Sequence, residues 1–104
     1  MANAQRGEIC AVFEGEERVL CLTLGALAEL EARFGAGDLV GLSDRFSSGR
    51  VTARDLTAII GAGLRGGGNA ITDDDLARMA IEGGLKGAAE IAARLLRATF
   101  GEAA

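Results

Sequence analysis

The stretch that decides the fold runs from residue 7 to residue 23, GEICAVFEGEERVLCLT. Ile9, Ala11 and Phe13 alternate with Cys10 and Val12, and Leu20 and Leu22 alternate with Val19 and Cys21. A period of two is that of a β-strand, whose successive side chains point to opposite faces. Glu14-Gly15-Glu16-Glu17 separates the runs, so the stretch reads as a β-hairpin. A two-residue loop with Gly15 first is the type II′ signature. That loop sets Ile9 opposite Leu22, Ala11 opposite Leu20, Cys10 opposite Cys21 and Val12 opposite Val19. Ile9, Phe13, Leu20 and Leu22 form the expected core face. The other face carries Cys10, Val12, Val19 and Cys21, where a solvated sheet prefers polar residues.

Beyond Thr23 the apolar period changes to that of a helix. A first helix is expected over 24–34, with Leu24, Leu27, Leu30 and Phe34 on one side and Gly35 as its stop. Asp38 fits the N-cap of a short second helix carrying Leu39, Leu42 and Phe46. Thr52 with Asp55 has capping-box spacing and opens a third helix with Leu56, Ile59, Ile60 and Leu64 inward. Gly66-Gly67-Gly68 ends it. Thr72, followed by Asp73, Asp74 and Asp75, opens a fourth helix that buries Leu76 and Met79. After Gly83-Gly84, a last helix over about 85–100 turns Leu85, Ala88, Ala92, Leu95 and Leu96 inward and leaves Lys86, Glu90, Arg94 and Arg97 wet. Strands precede helices without interleaving, so the class is α+β. The expected architecture is one domain over 1–104, with residues 1–6 loose, a hairpin at 7–23 and about five short helices over 24–101. A lone hairpin is marginal in water, so helices must cover one face of it.

Of the 104 residues, 49% are hydrophobic and 25% charged, the balance of a globular chain. The net charge of −4 repels a phosphate backbone, so no nucleic-acid partner is expected. His, Trp, Tyr and Pro are all absent. Without His, the commonest general base and a frequent metal ligand are missing. Ser43, Ser47 and Ser48 then have no base, and Lys86 sits on a solvated stripe, so no catalytic set assembles. No enzyme activity and no cofactor are expected. MANAQRGEIC lacks the apolar core of a signal peptide, and no apolar run is long enough for a bilayer. A cytoplasmic protein with no membrane partner is the reading.

Residues 44–55, DRFSSGRVTARD, echo a calcium loop, with Asp44, Ser48, Gly49 and Asp55 in register. Phe46 stands where an oxygen ligand is needed, and Asp55 shortens the closing Glu. No metal site is therefore assigned. Asp73-Asp74-Asp75 is read as a helix start favoured by the macrodipole, because adjacent helix residues do not converge on one ion. Cys10 and Cys21 cannot by themselves complete a zinc site and are read as small buried hydrophobes. Gly61 and Gly63 each weaken the third helix by about 1 kcal/mol relative to Ala. With Ala58 and Ala62, Gly61 makes a smooth face against which another backbone fits. That backbone is either internal or a partner's.

LCLTLGALAELEARFG at 20–35 and IIGAGLRG at 59–66 carry a family likeness. With Gly7-Glu8-Ile9, Asp38-Leu39 and Glu82-Gly83-Gly84, the chain resembles the small tail protein of gene transfer agents and long-tailed phages. That family is described as a tail assembly chaperone and also as a tail-tube protein. The resemblance spans Gly7 to Gly101 and rests on packing and turn motifs, so it transfers no functional residues. It implies a non-enzymatic chaperone, made in the producing cell, that binds the tape-measure protein and tail-tube subunits and leaves before the particle is finished. The alternatives are a structural tail-tube subunit or a small regulatory binding module unrelated to tails. Partner contact, or self-association, is expected at the second hairpin face (Cys10, Val12, Val19, Cys21) and at the smooth face (Ala58, Gly61, Ala62). For the hairpin face, the competing expectation is that the C-terminal helix folds over it.

Overall fold

The computed structural model describes residues 3, 6–34, 41, 44, 46 and 48–101. Two antiparallel strands, β1 (Glu8–Phe13) and β2 (Glu16–Cys21), precede four helices among the described residues. These are α1 (Leu24–Phe34), α2 (Ala53–Gly66), α3 (Asp73–Ala77) and α4 (Gly84–Phe100). The α+β class and the hairpin-first order hold. The expected helix from Asp38 and the stop at Gly35 fall largely outside the described residues. Phe46, described, is half-buried against the core.

The hairpin register differs from expectation by two residues. Ile9 pairs with Leu20, Cys10 with Val19, Ala11 with Arg18, Val12 with Glu17 and Phe13 with Glu16. The loop is therefore Glu14-Gly15, and both residues have positive φ, 52° and 81°. That is the type I′ pattern, whose twist matches the strands as well as type II′ does. Tertiary contacts hold it there. The Glu14 N–H donates to the Ala80 carbonyl at 3.0 Å, and the Glu14 carboxylate accepts from the Ala80 N–H at 3.3 Å. A two-residue slip preserves strand parity, so the face assignment survives it. Ile9, Ala11, Phe13, Leu20 and Leu22 are all buried.

α2 is the central element and packs on β2, α1, α3 and α4. Its start is closed by a reciprocal capping box: Thr52 Oγ1 accepts from the Asp55 N–H at 3.1 Å, and the Asp55 carboxylate accepts from the Thr52 N–H at 3.0 Å. Asp55, the last position of the calcium-like loop, is thus committed to a helix end. From Leu56 to Leu64 only Thr57 escapes burial, as suits a helix enclosed on most sides. Ile59, Ile60 and Leu64 join Phe13, Leu20, Leu30 and Leu95 as the largest fully buried side chains.

Helix phase departs from expectation at two leucines. Leu24, placed inward by the sequence, is 86% exposed, and Ala26 is buried instead. Leu24 is the first residue of α1, where a side chain leans past the helix end rather than onto a neighbour. Leu85 is 68% exposed, while Ile91 takes a buried place on the inner stripe of α4 with Ala88, Ala92, Leu95 and Leu96. Leu76 and the half-buried Met79 pack as expected, although α3 ends at Ala77.

One ion-pair network ties three helices together. The Arg65 guanidinium of α2 donates to both carboxylate oxygens of Glu29 on α1, to Asp73 of α3 at 3.0 Å and to the Ile71 carbonyl at 2.9 Å. Arg33 of α1 also reaches Asp73, at 3.2 Å. Hydrogen bonding to Arg65 holds the Glu29 carboxyl below its ordinary value of 4.5. The hydrogen bond from the Thr72 backbone likewise lowers Asp75, within a second capping box.

Ile59→Ala is expected to cost roughly 2–5 kcal/mol, because it opens a cavity at a fully buried site. A melting temperature within a couple of degrees of the parent would refute that placement. The lowered Glu29 pKa stabilises the fold above pH 4.5, and that contribution is lost as pH falls through the folded value. Glu29 is about half exposed, so the effect stays at or below about 1 kcal/mol. Glu29→Gln should lower the midpoint at neutral pH and flatten its fall in acid, as read by thermal melts from pH 7 to pH 3.

Candidate functional site

Both edges of the two-stranded sheet meet other parts of the chain. Along β2, the C-terminal end of α2 lies against the strand backbone. A methyl group on Gly66 or Gly67 would overlap the Cys21 or Val19 carbonyl oxygen. Asn69 fastens this seam: its amide donates to the Val19 carbonyl at 2.8 Å and the Leu64 carbonyl at 3.0 Å, and its oxygen accepts from Arg18 at 3.1 Å. Along β1, Phe13 forms an isolated antiparallel bridge with Ile81. Further along, the Arg94 guanidinium of α4 donates to the Cys10 carbonyl at 2.9 Å.

Cys10, Val12, Val19 and Cys21 share the face opposite the core and are half-buried. The two thiols are free, and they are not cross-strand partners: Cys10 opposes Val19, and Cys21 opposes Glu8. The expected Cys10–Cys21 pairing is thus corrected by the type I′ loop. The Cys21 thiol instead donates to the Arg6 carbonyl at 3.6 Å. α4 turns its buried stripe to the core side, with Leu95 against Gly63 and beside Leu20, and its Arg94 side borders β1, where it shares a groove with Cys10, Val12 and Glu17.

The smooth helix face has an internal explanation. Ala58, Gly61 and Ala62 are buried within the chain's own fold. Gly61 lies against the Asp73 carboxylate and the Arg65 guanidinium, and a Cβ there would collide with the carboxylate. Of the two neighbours expected for this face, the internal one is present at Gly61, where the start of α3 and the Arg65 network occupy the space.

Two further features escaped sequence reasoning. An apolar groove of about 290 Å³ lies between α2, α3 and α4, lined by Leu56, Ile60, Leu76, Met79, Ile81 and Leu85. A second, of about 280 Å³, lies between β1 and α4 and includes Val12, Glu17, Glu82, Glu90, Ile91 and Arg94. Residues from distant parts of the chain line each groove, so no local spacing signals either. Among the described residues, no three His, Cys, Asp or Glu side chains lie where they could hold one metal ion. No described helix is long and apolar enough to cross a membrane.

A profile of the family described as phage tail tube protein, GTA-gp10, matches residues 6–102. The chain belongs to that family. The match covers the hairpin and every described helix, so it concerns the whole fold. No match was found among curated proteins or among solved structures.

Because Val12 and Val19 lie on the half-buried face, replacing both by Lys should leave the chain folded, with long side chains reaching water past the strand. The helical circular dichroism should persist and the midpoint fall by only a few degrees. Cooperative unfolding of the double variant would make this face core.

Proposed function

We propose that this chain is a structural component of a phage-like tail and acts by protein–protein contact. Its family description carries the reading, since it names the tail tube. The geometry limits how such a subunit would join its neighbours. Strand addition needs an open sheet edge. Here β2 is blocked by the end of α2, and β1 by Ile81 and Arg94. Copies would therefore meet through side-chain surfaces: the second hairpin face, with Cys10, Val12, Val19 and Cys21, and the grooves beside α4.

The closed edges and short sheet also favour a second reading, that of a tail assembly chaperone. A chain whose two described strands have their outer edges occupied is poorly suited to forming a continuous β-wall. It is well suited to holding tape-measure or tube proteins transiently in the producing cell. Quantitative mass spectrometry of purified particles separates the two. A tube subunit should be present in copy numbers like those of other tail components, and a chaperone should be abundant in the producing cell and depleted from particles. Absence from particles, without co-purification of any tail protein from cells, would overturn both.

A further inference from the structure

We propose that the groove between β1 and α4 docks a cationic, partly apolar segment of a partner protein. The inference rests on the reading that the chain works by protein contact, and it names the chemistry of one partner.

Three exposed carboxylates line this groove from separate elements. Glu17 comes from β2, Glu82 from the turn before α4, and Glu90 from α4 itself. None of the three is engaged in an ion pair among the described residues, whereas Glu8, Glu16, Glu29, Asp73 and Asp75 all are. The one cation in the groove, Arg94, spends a guanidinium hydrogen bond on the Cys10 carbonyl. The groove thus keeps an excess of negative charge beside apolar surface from the half-buried Val12. Like charges gathered without counter-charges are relieved by a cation. A Lys or Arg side chain fits this composition: its aliphatic stem lies along Val12, and its head group meets the carboxylates.

Charge also selects among occupants. A second copy of a chain bearing a net charge of −4 is repelled at long range, and nucleic acid more so. A bare metal ion lacks a site here, since no suitable ligand group exists among the described residues. A basic segment with apolar neighbours satisfies both parts of the groove.

The test uses the full chain and a fluorescent peptide of alternating Lys and Leu, with a Glu/Leu peptide of equal length as control. Anisotropy should rise with the Lys/Leu peptide and not with the Glu/Leu peptide, and added salt should weaken the binding. The Glu82→Gln, Glu90→Gln pair should weaken it about tenfold or more. The Glu31→Gln, Asp74→Asn pair makes the same change in net charge at exposed positions elsewhere, and should alter affinity less than about twofold. Val12→Asn should weaken binding while leaving the charge unchanged. Equal losses in the two charge pairs would reduce the effect to diffuse electrostatics and overturn the site. Spermine competing as well as unlabelled peptide would overturn the apolar part, and self-association abolished by the groove pair would replace the partner with a second copy. Absence of the protein from purified particles would leave peptide binding intact, so this inference and the tube reading fail separately.

Discussion

The seating of the end of α2 against the edge of β2 is the constraint on which the rest of the structure depends. Gly66 and Gly67 let a helix terminus approach the Cys21 and Val19 carbonyls more closely than any side chain permits. Asn69 then satisfies the Val19 and Leu64 carbonyls together, converting proximity into hydrogen bonds where a bare carbonyl would otherwise be shielded from water. This contact sets the distance between hairpin and helix, so Leu20 reaches Gly63 and Leu95 and the core closes. It also removes one of the two sheet edges from use. A marginal hairpin is stabilised and a potential site of strand addition is closed by the same few residues.

The remaining helices are arranged around that unit. Arg65 lies one residue before the glycine seam and carries the electrostatic connection outward to Glu29, Asp73 and the Ile71 carbonyl. Its partners are partly exposed, so its worth is modest in energy, while its fork geometry fixes direction. Asp73 has two favourable settings at once, a helix N-terminus and a pair of guanidinium groups. Because Gly61 has no side chain, the Asp73 carboxylate can sit directly on α2. The glycines that weaken α2 as an isolated helix therefore allow close approaches: to α3 at Gly61, to α4 at Gly63 and to β2 at Gly66.

For function, the fold turns attention from edges to faces. A tail protein whose sheet is blocked along β1 by Ile81 and Arg94, and along β2 by α2, has side-chain surfaces with which to recognise others. The shared face of Cys10, Val12, Val19 and Cys21 was legible from strand period alone, because the expected and the observed registers differ by an even number of residues. The charged groove was not. Glu17, Glu82 and Glu90 are far apart in the chain and each reads locally as an ordinary surface carboxylate. They become one feature when the hairpin docks beside α4.

The sequence by itself determined the α+β class, the hairpin, the described helices, the Thr52–Asp55 capping box and the inward stripe of α2. These follow from periodicity and from side-chain chemistry acting over three or four residues. Tertiary structure decided what local periodicity cannot encode. It chose the Glu14-Gly15 loop over Gly15-Glu16, because Ala80 binds Glu14 and both registers bury the same face. It left Leu24 and Leu85 in water, because residues at the ends of helices lean past the neighbours that their phase would predict. It also set the Asp73 carboxylate against α2 at Gly61, because a position without a side chain is filled by whichever group the rest of the chain brings nearest.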